Sequence, residues 1–198
     1  MSKRKKFIFN FTILIFATLF MMGVVYEFRL TSLGVHRALE KKSYYGPSEI
    51  INTIKEDKIV INICKYDKWY SVDEAEKNKF GLWHPRRNQP HYVVENKKDK
   101  LLTINPYYFG QALDEKHTRY EWVIWGVINE YNIKDVKLII MDDGNLEVLE
   151  ENHMKDGTYI FRWESSRQDY EDSDLMVVGL DENENVIYKV NYRGQEYE

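Results

Sequence analysis

The sequence contains a single cysteine, Cys64, among 198 residues. One cysteine excludes an intramolecular disulfide framework and any zinc site built from several cysteines. Glycine and proline are scarce as well, at 10 and 4 residues, which excludes a collagen-like chain or a Gly/Pro-rich linker. Hydrophobic residues make up 43% of the chain, so enough apolar surface exists for a folded core, and wholesale disorder is excluded.

Sequence motifs of catalysis and nucleotide binding are also missing. The chain has no phosphate-binding loop, no dinucleotide fingerprint, no Gly-x-Ser-x-Gly elbow and no His-Glu-x-x-His pair. Its net charge of −4 gives no electrostatic argument for nucleic acid. We therefore expect no nucleic-acid partner, no cofactor and no metal, and we favour a non-catalytic protein while leaving enzymatic activity open.

Residues 7–26 form an uncharged run of 20 residues, 12 of which are Phe, Ile, Leu or Val. A helix of this length matches the roughly 30 Å of a bilayer's hydrocarbon core. The run is longer than the apolar region of a cleaved secretory signal, about 7–15 residues, and no small-x-small cleavage site follows it. The sequence therefore predicts an uncleaved transmembrane signal anchor over 7–26 that contacts membrane lipid.

The charges that flank this run predict its orientation. Four basic residues, Lys3 to Lys6, precede it, and the following segment has mixed charge. By the positive-inside rule, residues 1–6 form a basic cytoplasmic tail and the chain after the anchor lies outside the cell membrane. No second apolar run of similar length follows, so we expect a single-pass protein. Heavy use of Ile, Lys, Asn and Tyr with little Ala is typical of an AT-rich bacterial genome, which suggests a bacterial cell envelope.

After the anchor, the sequence predicts a stalk helix over 27–45 and one extracytoplasmic α+β domain over 46–198. Charge is uneven within this part. Residues 29–141 contain 19 basic and 15 acidic groups, whereas 142–198 contain 5 basic and 16 acidic groups. No Gly-, Pro- or Ser-rich linker separates the two parts, which favours a single domain.

Two to three helices are expected, from capping patterns at their starts. Ser48 precedes three isoleucines at helical spacing, and Ser71 to Glu74 is a capping-box sequence that Gly81 would end. A second capping box, Thr118 to Glu121, predicts a very apolar helix to about Tyr131, with a buried strand as the alternative.

Alternating apolar residues and turn signals predict an antiparallel sheet of hairpins. Residues 58–64 alternate in polarity, and Asp143-Gly144 is a strong hairpin turn. The remaining predicted strands are 91–95 with 100–104, 136–141 with 146–149, 158–163, and 175–180 with 186–192. Cys64 ends one of these strands, and we expect it to be a small buried side chain.

The most distinctive stretch runs from Trp83 to Tyr92. Its two prolines favour an extended backbone, and two adjacent arginines suit a carboxylate or phosphate group. We expect a binding site here for an envelope protein or an anionic surface polymer. Two alternatives remain open: a structural loop whose arginines pair with the acidic C-terminal part, and a membrane-tethered hydrolase that uses His84 and His91. The candidate binding residues are Trp83, His84, Arg86, Arg87, His91 and Tyr92.

Overall fold

Antiparallel β-strands form most of the chain, with two helices in the part that the structure describes. The structure is a computed structural model. It describes residues 2–24, 27–86, 92–112, 118–142, 145–149, 154–168, 170–171 and 174–197. The expected α+β class with an antiparallel sheet is therefore confirmed at this coarse level.

The chain divides into two compact units, Met1–Glu95 and Asn96–Glu198. The sequence predicted one domain over 46–198, and the boundary at residue 95 falls inside that range. Within the described residues, every strand pairing lies within one unit or the other. No Gly- or Pro-rich segment marks the boundary between residues 95 and 96, because two units can be joined by a short connection of ordinary composition.

The first unit contains both helices, α1 (Lys3–Val24) and α2 (Ser32–Ser43). Helix α1 includes most of the predicted anchor and also the four basic residues before it. Among the residues that the structure describes, neither helix is both long enough and apolar enough to cross a membrane.

Helix α2 lies inside the predicted stalk, 27–45, but it is a packed part of the first unit. It begins after Thr31, whose side chain accepts a hydrogen bond from the Gly34 N–H, as an N-cap does. Four of its side chains are buried, which a free stalk would expose. The stalk prediction is therefore corrected. The reason is that the apolar stripe of α2 faces a sheet of its own unit. The buried side chains are Val35, His36, Leu39 and Glu40.

The sheet of the first unit has the order β1-β2-β3-β4, and β5 also pairs with β3. All pairings are antiparallel, and β4 and β5 pair with different ends of β3. Helix α2 packs against this sheet through Val35 and Leu39, which contact Ala75 and Trp83. The strands are β1 (Glu49–Glu56), β2 (Ile59–Tyr66), β3 (Trp69–Lys77), β4 (Trp83–Pro85) and β5 (Tyr92–Glu95).

The described residues of the second unit form two antiparallel sheets, with orders β10-β7-β6 and β13-β12-β11-β8-β9. Trp122, Ile124 and Phe161 from the smaller sheet share one core with Leu138 and Val177 from the larger sheet. The two sheets therefore pack on each other as a sandwich does. The strands are β6 (Asn105–Ala112), β7 (Thr118–Val127), β8 (Asp135–Asp142), β9 (Asn145–Leu149), β10 (Thr158–Ser165), β11 (Leu175–Leu180), β12 (Val186–Asn191) and β13 (Glu196–Tyr197).

The helices predicted after Ser48 and Ser71 are wrong, and the alternative prediction for the segment after Thr118, a buried strand, is confirmed. The segments after Ser48, after Ser71 and after Thr118 are strands β1, β3 and β7. In β7 all residues from Trp122 to Val127 are buried, so the strand is covered on both faces and shows no alternation. A short apolar run of this kind cannot be assigned by periodicity. Pairing with neighbouring strands outweighs the local capping signals here.

Most predicted strands are confirmed, because their patterns are local. Strand β2 matches 58–64, β10 matches 158–163, and the hairpins β8–β9 and β11–β12 form as expected. The hairpin predicted between 91–95 and 100–104 is wrong. Strand β5 pairs with β3 instead, and Leu102 forms only an isolated bridge with Ile128. The predicted turn Asp143-Gly144 lies outside the described residues.

Candidate functional site

One face of the first unit's sheet is polar, although it is buried under α2. Asn62 and Cys64 are two residues apart on β2, so their side chains point to the same face. Their partners on β3 are Asp73 and Ser71 respectively, which place two more polar side chains on that face. All four residues are buried.

Helix α2 adds His36 and Glu40 to this face. They are four residues apart, so they lie on one side of the helix, and both are buried. Ser48, just before β1, is buried beside them. We call this set the buried polar cluster; its members are His36, Glu40, Ser48, Asn62, Cys64 and Asp73.

His36 is the centre of the buried polar cluster. Its Nδ1 lies 2.6 Å from Asp73 Oδ2. Its Nε2 lies 3.4 Å from Glu40 Oε1 and 3.5 Å from Ser48 Oγ. Each ring nitrogen thus faces a carboxylate oxygen. Two buried carboxylates therefore hold the imidazole from opposite sides, which fixes its orientation.

Cys64 lies on the Nδ1 side of this imidazole. Its Sγ is 3.7 Å from His36 Nδ1 and donates to Asp73 Oδ2 at 3.5 Å. The other oxygen of Asp73, Oδ1, accepts a hydrogen bond of 2.9 Å from Asn62 Nδ2. The Asn62 side chain in turn accepts from Thr53 Oγ1 at 3.1 Å. The donor atoms around Asp73 therefore come from rigid strands and a helix, not from loops.

The turn after α2 brings Ser48 onto Glu40. The Ser48 N–H and hydroxyl both donate to Glu40 Oε1, at 2.5 and 2.6 Å. Arg37 Nη1 donates to the other oxygen, Oε2, at 2.6 Å. Gly46 has φ +110°, and a Cβ there would lie 2.6 Å from Glu40 Oε1, so only glycine fits this close approach.

Burial and hydrogen bonding shift the pKa values of these groups in opposite directions. Burial, together with the neighbouring Asp73, raises the pKa of the Cys64 thiol. Burial also acts to raise the pKa of Glu40, but hydrogen bonds from Ser48 and Arg37 outweigh it and lower that pKa overall. At neutral pH the thiol is thus protonated and the Glu40 carboxylate is charged.

This arrangement does not suit nucleophilic catalysis. Ser48, His36 and Asp73 occur in the order of a serine–histidine–aspartate relay, but the Ser48 hydroxyl donates to Glu40 at 2.6 Å and lies 3.5 Å from the imidazole. Ser48 is only 3% exposed, so its oxygen is closed to a substrate. The protonated thiol of Cys64 is a weak nucleophile.

Two surface pockets of the first unit border this region. One, of about 360 Å³, is lined by the end of α2 and the turn that follows, and Glu40 connects it to the buried polar cluster. The other, of about 350 Å³, is lined by Glu27 and by three cationic side chains, Arg29, Lys41 and Lys42. Lys42 pairs with Glu27 at 2.9 Å, so Arg29 and Lys41 give the second pocket an excess of positive charge that favours an anionic ligand over a cationic one.

No protein-family model, curated protein or solved structure matches this chain. Any functional argument therefore rests on the residues and geometry of the chain itself.

The predicted stretch from Trp83 to Tyr92 is only partly described. Arg87 and His91 lie outside the described residues. Trp83 begins β4, exchanges two backbone hydrogen bonds with Arg29 and packs on the α2 side of the sheet. Tyr92 begins β5 and pairs with Val72. Both ends of the stretch thus reach β3, at different places along it.

The two remaining predicted residues have partners inside the first unit. His84 Nδ1 lies 2.9 Å from the Pro85 carbonyl oxygen, and its ring packs edge-on against Phe28. Arg86 Nη1 bonds Glu74 Oε2 at 3.1 Å, and its Nε lies 3.8 Å from Glu76. The acids that pair with Arg86 therefore come from β3, not from the acidic C-terminal part. This geometry favours a structural contribution from Arg86.

We expect Arg86→Ala to destabilise the first unit by about 1–3 kcal/mol, because it removes a charged hydrogen-bond donor from the buried Glu74 carboxylate. The arginine side chain is 13% exposed, so solvent screens the pair only weakly. A thermal melt of the full chain in detergent measures the loss. The matched control is Lys68→Ala, which breaks the exposed Lys68–Glu95 pair and should leave the melting temperature almost unchanged. Equal melting temperatures for the two variants would contradict a structural role for Arg86.

Sequence reasoning missed the buried polar cluster. The alternation of Asn62 and Cys64 was visible, but Ser71 to Glu74 was interpreted as a helix cap, which hid Asp73 as their partner. His36 and Glu40 have helical spacing in the sequence. Nothing in the sequence, however, brings that helix face onto β2 and β3. The expectation that Cys64 is buried is confirmed.

Proposed function

We propose that this chain is a single-pass, membrane-anchored extracytoplasmic protein of a bacterial cell envelope that acts as a non-catalytic binding or accessory module. The observation that carries the proposal is the exposure of α1. Its large apolar side chains between Phe7 and Met21 are each 45–70% exposed, and they occur at consecutive positions all around the helix.

Such a helix is unfavourable in water. Each square ångström of apolar surface left in water costs about 25 cal/mol, and an amphipathic helix would hide its apolar stripe against its own domain. A bilayer removes this cost on every side, because its hydrocarbon core is itself apolar. A helix can enter that core because its backbone groups are hydrogen-bonded within the helix. The described helix, which by itself does not qualify as a membrane span, includes 18 of the 20 residues of the uncharged run, Phe7 to Val24, and the proposal places the whole run of 20 in the bilayer.

The basic start of α1 supports an orientation with the N-terminus in the cytoplasm. Lys3 to Lys6 lie in its first turns, and no acidic residue is present there. Short basic flanks of an anchor stay on the cytoplasmic side. Residues 27–198, which are the rest of the first unit and the second unit, would then face the envelope.

The two groups best suited to nucleophilic attack support a non-catalytic role. The Ser48 hydroxyl and the Cys64 thiol are both buried, and both donate to carboxylates. For a ligand, the pocket with Arg29, Lys41 and Lys42 suits an anionic surface polymer, since its described lining has three cationic side chains and one acidic side chain, Glu27, which pairs with Lys42. An envelope protein with an acidic surface is recognised by the same charges.

Membrane anchoring is tested with a C-terminally tagged full chain expressed in a bacterium. We expect the protein to resist alkaline carbonate extraction and the tag to be digested by protease added to intact protoplasts. Ile15→Arg should shift most of the chain out of the membrane fraction, because a charge at the centre of an anchor costs roughly 2.5–3.5 kcal/mol. The control Ile15→Val should stay in the membrane.

Two results would overturn the proposal. One is release of the wild-type chain by carbonate as completely as Ile15→Arg. The other is a tag that protease reaches only after lysis, which would mean the opposite orientation.

A further inference from the structure

The buried polar cluster contains three side chains of the classes that bind transition metals. The imidazole of His36, the thiol of Cys64 and the carboxylate of Asp73 each offer one ligand atom, and these atoms all lie within 4.8 Å of one another. All three residues are buried. They come from α2, β2 and β3, so three separate elements converge on one point.

The distances are close to those of a tetrahedral site. Zinc bonds of about 2.0–2.3 Å place neighbouring ligand atoms roughly 3.3–3.6 Å apart. Cys64 Sγ lies 3.7 Å from His36 Nδ1 and 3.5 Å from Asp73 Oδ2. The third separation, 2.6 Å between His36 Nδ1 and Asp73 Oδ2, is that of a hydrogen bond, and it must widen by under about 1 Å.

The partners around the three side chains are those that hold metal ligands in place. A ligating histidine usually directs its other nitrogen to a carboxylate. Here the nitrogen remote from Cys64, His36 Nε2, faces Glu40 Oε1 at 3.4 Å. A ligating carboxylate is in turn hydrogen-bonded, as Asp73 Oδ1 is by Asn62.

Charge also favours a cation at this point. Asp73 and Glu40 place two carboxylates around one imidazole in the interior of the first unit, and Arg37 approaches only the far oxygen of Glu40.

We propose that His36, Cys64 and Asp73 bind one divalent transition-metal ion, with zinc the best match to a nitrogen, sulfur and oxygen set. Zinc takes these three donor types together, whereas calcium and magnesium require oxygen ligands alone. On binding, the thiol loses its proton to solvent. The hydrogen that His36 Nδ1 shares with Asp73 Oδ2 is displaced as well, so that the ring carries its hydrogen on Nε2, towards Glu40. The thiolate, Nδ1 and the carboxylate then bond the metal. Bonds from α2, β2 and β3 to one ion would hold the helix against the sheet, and a water molecule would take the fourth position of a tetrahedral ion.

The test uses the full chain in detergent, treated with a chelator and then titrated with Co²⁺ as a spectroscopic stand-in for zinc. We expect saturation at one equivalent and a near-ultraviolet thiolate-to-cobalt charge-transfer band that Zn²⁺ abolishes by competition. Cys64→Ser should remove the band, and Asp73→Asn should weaken cobalt binding at least tenfold. The control His84→Asn, a histidine of the same unit outside the buried polar cluster, should bind cobalt as the wild type does.

A second measurement does not depend on the variants. Zinc added to the wild-type chain should slow hydrogen exchange in residues 59–77 of the first unit and leave residues 118–127 of the second unit unchanged. Absence of the charge-transfer band in the wild type would overturn the proposal, whether or not Cys64→Ser folds. Equal cobalt spectra for the wild type and a folded Cys64→Ser would overturn it too, because the metal would then be bound elsewhere. The outcome is independent of membrane anchoring.

Discussion

His36→Ala is expected to lower the free energy of unfolding of the first unit by about 3–5 kcal/mol, because two buried carboxyl groups lose the partner that they share and a cavity remains. The side chain is fully buried between Asp73 and Glu40, with an Asp73 contact of 2.6 Å. Its loss leaves two carboxylates near each other in the interior, and a cavity where the ring was. Both effects destabilise the folded state, so the decrease in the free energy of unfolding should be large.

Hydrogen exchange measured by mass spectrometry separates this loss from any change in the second unit. Peptides from residues 59–77 should exchange faster in His36→Ala, by at least a hundredfold, while peptides from 118–127 keep their wild-type rates. The matched control is His84→Ala. His84 is half-buried and makes one hydrogen bond to the Pro85 carbonyl, so its loss should accelerate exchange far less. Equal acceleration by the two variants would mean that the buried polar cluster contributes little to stability.

Gly126→Ala is expected to destabilise the second unit by about 3 kcal/mol or more, because β7 has no room for a side chain at this position. A Cβ would lie 1.8 Å from the Thr103 carbonyl oxygen and 2.6 Å from the Tyr159 ring. The same oxygen accepts a hydrogen bond of 2.7 Å from the Tyr159 hydroxyl. Backbone and ring must both move, and the hydrogen bond is broken.

The control for this variant is Gly179→Ala on β11 of the same unit. There the nearest atom to an added Cβ is the terminal methyl of Ile133, at 2.9 Å. A methyl at the end of a side chain can shift at little cost, so we expect a clearly smaller change in the denaturant midpoint than for Gly126→Ala. Equal midpoints for the two variants would contradict the expectation that the close packing of Gly126 against Thr103 and Tyr159 makes this position the more sensitive one.

Local patterns in the sequence predicted a substantial part of this fold. The alternation in β2 and the turn signals between β8 and β9 and between β11 and β12 act over a few residues. Neighbouring positions in the sequence are therefore enough to predict these strands and turns. The same holds for the uncharged run over 7–26 and for the single cysteine, whose burial was expected from its residue type.

Capping patterns misled the prediction where pairing partners are distant in the chain. Ser71 to Glu74 has the spacing of a helix start, but β3 is held by β2, β4 and β5 together. The segment from Trp122 to Val127 shows no polar–apolar alternation, because both faces of β7 are covered. A buried helix and a central strand have the same uniformly apolar pattern. In both cases pairing with strands that lie elsewhere in the chain outweighs the local pattern, and a short stretch of sequence does not contain those strands.

The sequence by itself determined that residues 7–26 form an uncharged, mostly apolar run, that a disulfide framework is excluded, and that antiparallel hairpins are present. Only the tertiary structure decided that His36 from α2 meets Cys64 from β2 and Asp73 from β3. The physical reason is that strand pairing and helix docking set those contacts over 28 and 37 residues of separation. The local sequence around each of the three residues contains no pattern that indicates a shared site.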